Sequence, residues 1–442
     1  MKKATFKGGI HLAGFKELTS GKETVPAPIP ERVYIPLSQH IGAPCAPLVV
    51  VGAQVKKGQR IGEGKGFVSS PIHASVSGKV VGIETREHPG GSFVPCVVIE
   101  NNGMEEWAET VKPAGDPARL DSEQLRRIIS DAGIVGLGGA TFPAHVKYAP
   151  VEGKKVETVI LNGVECEPYI TADHRLMLEK ADRIVAGLGY IMRSVCCEKG
   201  VIAIEDNKMD AVAVMEKAAA GKNISIVVLK EKYPQGSEKQ LISACTGKEV
   251  PVGALPLDVG VIVNNVGTAA AIADAVEKGI PLIERYVTIS GPGIREPANY
   301  LVRIGTLFSE LIARSGGYNG EPERIIAGGP MMGKTVFSDD VPVVKGSSGI
   351  VIFPKEEMKV PKEFSCVRCA KCIDVCPAFL EPTSLAKMAR RSAWEEAEKN
   401  NVMSCIECGS CVFSCPAQIP LIEYIRRAKQ AVLAAKAKAK AA

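Results

Sequence analysis

Two cysteine runs constrain this chain more than any other feature. The first is Cys366, Cys369, Cys372 and Cys376, followed by Pro377; the second is Cys405, Cys408, Cys411 and Cys415, followed by Pro416. Both read C-x₂-C-x₂-C-x₃-C-P. Fourteen of 442 residues are cysteine, so four set positions match at a given start with a probability on the order of 10⁻⁶, and chance does not produce two such runs. The other six cysteines (Cys45, Cys96, Cys166, Cys196, Cys197 and Cys245) are scattered.

Many cysteines usually mean an exported, disulfide-bonded protein. Residues 1–9, however, lack the apolar core of a signal peptide. The longest uncharged stretch, residues 33–55, is interrupted by Pro36, Gln39, His40, Gly42, Pro44 and Pro47. It cannot form a lipid-facing span of about 20 apolar residues. An unexported, soluble chain is expected, and the thiols need another use. A net charge of +5 is too small to suggest nucleic-acid binding by field alone.

The spacing of both runs is that of bacterial two-cluster ferredoxins, in which three cysteines wrap one cube and the fourth ligates the other. It predicts one [4Fe–4S] cluster on Cys366, Cys369, Cys372 and Cys415, and a second on Cys405, Cys408, Cys411 and Cys376. Zinc takes four ligands in two pairs and fits a third cysteine two residues on poorly. Pro377 and Pro416 are expected to open the following helices. Residues 384–400, rich in Ala, Lys, Arg and Glu, read as a helix between the runs. Such a segment is a wire for single electrons, and a wire needs terminals.

Upstream, residues 31–100 alternate short apolar runs with glycine turns, which indicates a small all-β module. It resembles a lipoyl- or biotinyl-type barrel-sandwich hybrid. The carrier-lysine tip is replaced by Gly66, Phe67, Val68, Ser69 and Ser70, so a docking or structural role is expected.

Residues 122–278 alternate apolar strands (156–161, 201–204, 224–229, 259–263) with helical stretches (173–197, 209–219, 238–244, 268–277). That pattern implies a parallel sheet covered on both faces, with ligands at the carboxyl ends of its strands. The glycine-rich stretch 133–143 is not a Rossmann fingerprint, because a helical segment, 123–130, precedes it where a strand is required. Its glycines still let backbone N–H groups approach a phosphate or a flat ring. Segments 285–291, 304–312 and 324–333 read as strand, helix and strand of a small β-grasp.

With these pieces in order, the sequence resembles the RnfC family, peripheral flavin and iron–sulfur subunits of Rnf complexes, over roughly residues 5–425. Its central part is similar to the FMN-carrying, NADH-binding subunit of respiratory complex I. Four stretches carry that resemblance: Gly136 to Pro143 with Lys147, Leu161 to Pro168, Tyr233 to Glu238, and Val263 to Thr268. It implies that Gly136, Gly138, Gly139 and Lys147 lie along the flavin, and that Asn264, Asn265 and Thr268 hold its phosphate end. Asn162 and Glu165 would meet the isoalloxazine, Gly236 would also bind the cofactor, and Phe142 and Glu238 would border the nicotinamide nucleotide. Thr268 opens a helix whose N-terminus favours a phosphate dianion. Val164, Ser237 and Leu137 depart from the complex I pattern, which has Asp, Glu and Arg there.

The organisation expected is multidomain α/β: a barrel-sandwich module (1–110), a Rossmann-like FMN/NADH domain (111–282), an SLBB-like β-grasp (283–345) and a helical two-cluster ferredoxin domain (346–442). The resemblance implies electron exchange between NAD(H) and FMN, then through the two clusters, on the cytoplasmic face of the bacterial cell membrane. Implied partners are a ferredoxin-like cluster-bearing subunit and integral membrane subunits; no side chain need act as acid, base or nucleophile. Two other readings stay open: an RnfC-like cobalamin reductase of a microcompartment, expected to begin with the flavin domain, and a flavin-free relay scaffold. The tail 421–442 places Leu421, Ile425, Ala428 and Val432 on one helical face ahead of Lys436, Lys438 and Lys440, either a lipid-facing end or a frayed solvated one.

Overall fold

A computed structural model of the chain describes residues 3–357 and 362–441. At its centre is a four-stranded parallel sheet in the order Ile224–Leu229, Gly200–Glu205, Thr158–Gly163, Val261–Asn265. The first strand in sequence, Thr158–Gly163, has the second on one side and the last on the other. The connection therefore reverses between Thr158–Gly163 and Val261–Asn265, the place where open α/β sheets bind ligands. Register sets Asn162 directly beside Asn265 at that crevice.

Apolar side chains explain the layers. Leu125, Ile129, Ile184, Leu188 and Ile272 cover one face of the sheet, while Leu241 and Ile242 pack with Ile160, Val201 and Val261 on the other. Helices Ala181–Ser194 and Val266–Lys278 approach so closely at Gly187 that a Cβ there would lie 1.8 Å from the Ala269 carbonyl oxygen. The helix expected over 173–197 is two, Ala172–Glu179 and Ala181–Ser194, broken where Lys180 leaves helical geometry. The strand expected at 259–263 starts later, at Val261, because Pro256–Val259 form a 3₁₀ turn closed by left-handed Gly260.

The β module pairs Arg32–Pro36, Phe93–Asn101, Gly78–Glu87 and Gln54–Val55 in one sheet and Cys45–Pro47, Arg60–Gly64 and Ile72–His73 in another. Val33, Ile35, Ile61, Ile72, Val80 and Ile99 fill the space between them. At the tip, Phe67 is exposed while His40 accepts the Ser70 N–H at 3.1 Å.

The third unit is larger than the segments 285–333 implied. Its six-stranded sheet runs Val25–Pro26, Ala298–Arg303, Glu284–Ser290, Gly349–Pro354, Pro322–Ala327, Lys334–Val336, with helix Phe308–Arg314 against it. Strand Gly349–Pro354 lies inside this sheet, so the boundary drawn at 345/346 assigns a central strand to the wrong unit. Residues before Pro26 likewise leave the β module: Val25 and Pro26 pair with this sheet, and Ala4 and Ile10 bridge to Leu229 and Tyr233 of the middle domain.

In the C-terminal unit the expected helix over 384–400 is two, Pro382–Arg390 and Trp394–Lys399, separated by left-handed Ser392. Pro382, not Pro377, takes the first helical position, and the last helix, Leu421–Ala441, follows Pro420; Pro377 and Pro416 lie in turns. The face formed by Leu421, Ile425, Ala428 and Val432 is buried in the protein, three of them with Leu385, Met388 and Ala397. Lys436 pairs with Glu398 at 2.7 Å. The tail is therefore not free to lay that face on lipid, and its end, residues 433–439, is helical and solvated; the side chain of Lys440 lies outside the described residues.

Candidate functional site

Each cysteine run turns through two left-handed residues at matching positions, Arg368 and Ala370 in the first, Glu407 and Gly409 in the second. This turn aims backbone N–H groups at sulfur: Arg368 donates to Cys366 Sγ and Glu407 to Cys405 Sγ, each at 3.4 Å. Two short helices, Lys371–Asp374 and Ser410–Phe413, then carry the fourth cysteines across to the opposite run. Cys366, Cys369, Cys372 and Cys415 line one cavity of about 190 Å³. Cys376, Cys405, Cys408 and Cys411 line a second, much tighter one.

Among the described residues no group of three or more His, Cys, Asp or Glu side chains converges on a single-ion position. The thiols instead surround two volumes, as a polynuclear cluster requires. Their surroundings differ. Cys366 and Cys369 are exposed, whereas Cys376, Cys408 and Cys411 are buried. The buried set faces the α/β domain: Gln240 donates to the Pro377 carbonyl at 3.0 Å, and the N-terminal strap joins through Gly9 N–H to the Val375 carbonyl at 2.8 Å.

At the carboxyl end of the parallel sheet, the loop of Gly136, Gly138 and Gly139 crosses the N-terminus of helix Val266–Lys278. It is pinned there by the Leu137 N–H donating to Thr268 Oγ1 at 2.9 Å. Gly138 has Asn265 as its neighbour, and a Cβ on it would sit 3.5 Å from that side chain; Gly139, at φ +101°, faces open space. Lys147 reaches back to the Val263 carbonyl at 2.8 Å and lies 3.5 Å from the Glu238 carboxylate. Asn265 caps the helix through the Gly267 N–H and donates to Asp173 at 2.6 Å. Buried Asn264 accepts from Tyr148, leaving its Nδ2 without a partner among the described residues. Phe142 is half-buried.

Two side chains expected at the isoalloxazine are committed to the backbone. Asn162 donates to the Gly236 carbonyl and accepts the Val164 N–H, joining the two loops that face each other. Glu165, itself left-handed, accepts the N–H groups of Asp173 and His174 at the start of helix Ala172–Glu179. Burial raises its carboxyl, as it does that of Glu167, which reaches about 7 while accepting the N–H groups of Met331 and Met332. Cys166 is packed against Gly236, and burial pushes its thiol up to about 12, so it is no nucleophile.

Beneath this loop lie two residues the sequence did not single out. The Lys16 ammonium donates to the carbonyls of Glu165, Glu167 and Ile170, and Lys208 to that of Val164. Both come from segments that read as ordinary polar chain, and no local spacing marks them.

Comparison with known proteins agrees with this anatomy. Family models described as the RnfC barrel sandwich hybrid domain, the Nuo51 FMN-binding domain, the SLBB domain and the 4Fe-4S dicluster domain match residues 4–104, 129–274, 286–335 and 365–420. A barrel domain ahead of the flavin domain disagrees with the cobalamin-reductase reading. A solved NAD⁺-reducing [NiFe]-hydrogenase in the H₂-reduced state shares the fold, with TM-score 0.50 and 18% identity over 72% of this chain and 63% of its own. Fold and site thus define an oxidoreductase with an FMN-binding domain of the complex I kind and a two-cluster electron-transfer domain. The RnfC-type subunit of the Na⁺-translocating ferredoxin:NAD⁺ oxidoreductase complex of Acetobacterium woodii is 50% identical over 439 residues, 99% of each chain. The corresponding subunit of the proton-translocating complex of Clostridium ljungdahlii is also 50% identical, over 426 residues, 96% of this chain and 93% of its own. That of the ion-translocating oxidoreductase of Rhodobacter capsulatus is 43% identical over 96% of this chain and 82% of its own. The chain belongs to the RnfC family, whose members are subunits of ion-translocating ferredoxin:NAD⁺ oxidoreductase complexes.

Proposed function

We propose that the chain exchanges electrons between NAD(H) and a one-electron partner, with FMN held at the switch point of the parallel sheet and [4Fe–4S] clusters held by the two cysteine sets. The observation that carries this reading is contiguity: the buried thiol cavity abuts the domain that carries the glycine loop, and the exposed one opens outward. Cys405, Cys408, Cys411 and Cys376 would hold the cluster nearer the flavin, and Cys366, Cys369, Cys372 and Cys415 the one that meets a partner.

The residues fit FMN. Asn264 has a buried amide donor to spare, the helix beginning at Val266 offers N–H groups to an anion, and the glycine loop admits close approach. Bound FMN supplies the exchange of a hydride for single electrons. Lys147 and Glu238 lie 3.5 Å apart and, with Phe142, would border the nicotinamide nucleotide. Among the described residues no helix is long and apolar enough to cross a membrane. Membrane attachment, on the cytoplasmic face, is through integral subunits, and the electron partner is a ferredoxin-like cluster-bearing subunit.

Anaerobic purification with flavin analysis tests the reading. Near-stoichiometric FMN bleached by hydride exchange with NADH is the expected result. Protein with both clusters and no affinity for FMN would instead make the chain a flavin-free relay.

A further inference from the structure

The flavin loop 136–141 has no cationic side chain of its own. A cation reaches it from another domain. Arg285, on strand Glu284–Ser290 of the six-stranded sheet, is 4% exposed. Its Nε donates to the Ser347 carbonyl at 3.0 Å and its Nη2 to the Leu137 carbonyl at 3.4 Å. Its Nη1 has no hydrogen-bond partner among the described residues and lies 3.6 Å from where a Cβ on Gly267 would sit, in the first turn of the 13-residue helix Val266–Lys278.

This placement is costly without an anion. A buried guanidinium needs a counter-charge, yet among the described residues Arg285 forms no ion pair. The acid whose charge acts on it, Asp173, is engaged by Asn265, and burial raises its carboxyl. The helix end beside Nη1 adds positive potential. Guanidinium, helix N-terminus and a backbone-lined glycine loop therefore converge on one spot, a combination suited to a phosphate dianion.

We propose that Arg285 is the binding residue that pairs the phosphate monoester of the flavin, so that the six-stranded sheet forms one wall of the flavin site and the site discriminates FMN from riboflavin. This rests on the proposed FMN site and adds a residue from outside the flavin domain to it.

Full-length protein with its clusters intact and its flavin removed can be titrated with FMN, riboflavin and NAD⁺, following flavin fluorescence or protein melting. Arg285→Gln should weaken FMN by about 10- to 100-fold, the loss expected for one charge-assisted hydrogen-bonding group, and leave riboflavin unchanged. Arg285→Lys should recover part of the loss. An unchanged FMN-to-riboflavin ratio in Arg285→Gln, or weakening of NAD⁺ alone, would overturn the proposal. If Arg285→Gln loses both flavins through misfolding, Arg285→Lys decides: FMN weakened with riboflavin intact supports the pairing, and parallel or absent changes refute it. Wild-type protein that binds neither flavin would reject the FMN site itself, a separate failure.

Discussion

The phenol of Tyr233 donates a hydrogen bond to the backbone carbonyl of Cys408 at 2.8 Å, in a buried contact shared with Ile10. Tyr233 opens the turn that ends in Gly236 and Glu238, and Cys408 lines the buried thiol cavity. One bond thus joins the flavin side of the molecule to the cluster side. Tyr233→Phe leaves the Cys408 carbonyl buried without that donor, which costs about 1–3 kcal/mol. Denaturant unfolding should register the loss, and release of the C-terminal unit should precede melting of the parallel sheet.

Crossed ligation has a sharp signature. Cys376→Ala should abolish the cluster of the second run while leaving that of the first, and Cys415→Ala should do the reverse. Iron counts and EPR of the two variants distinguish this from ligation within each run, for which the losses would be exchanged.

Exposure separates the two sets. Cys366 and Cys369 lie at the surface and Cys408 and Cys411 are buried, so a chelator should strip iron from the first set sooner. Partial chelation followed by EPR should find the surviving signal to be the one that Cys376→Ala removes.

The two runs were legible because cluster ligation is local: spacing alone brings three thiols round one volume, and the turn residues Arg368 and Glu407 follow from it. The paired asparagines 264 and 265 were legible for a similar reason, since a strand running into a helix places them at the sheet's switch point. Other features depend on distant packing. Leu421, Ile425, Ala428 and Val432 showed a helical apolar face, but nothing local told that helix Pro382–Arg390 would cover it. The boundary at 345/346 groups Gly349–Pro354 with the ferredoxin part, because its place between Glu284–Ser290 and Pro322–Ala327 depends on partners outside its own sequence. Lys16, Arg285 and Lys345 resemble any surface cation until three domains close over them.

Lys345 gives that burial a measurable consequence. Its ammonium donates to the carbonyls of Pro71 and Gly133, joining the β module to the flavin domain, and burial pushes it from 10.5 down to about 7. A lysine depressed on folding contributes stability that is complete above its unfolded pKa and is lost as pH falls through the folded value. Wild-type stability should therefore decline from about pH 10 towards 7 more steeply than that of Lys345→Met. Chemical unfolding at several pH values checks the slope, whatever the variant's absolute stability.

Ile425 lines the buried thiol cavity and packs in the core beneath it. Ile425→Ala should cost about 2–5 kcal/mol. It should also lower the iron content of the second cluster selectively; equal loss from both would mean that the helix supports the unit as a whole.

Relatives named for Na⁺ and for protons are equally similar to this chain, so overall similarity does not separate the two ions. The electron path is the part that belongs here, and it can be observed directly. Clusters in the purified chain are reduced anaerobically with dithionite, excess reductant is removed, and NAD⁺ is added to FMN-loaded and flavin-free samples. With FMN, both cluster signals should fall as NADH forms; without it they should persist. Equal reoxidation in the flavin-free sample, or clusters that stay reduced beside bound FMN and NAD⁺, would contradict the account.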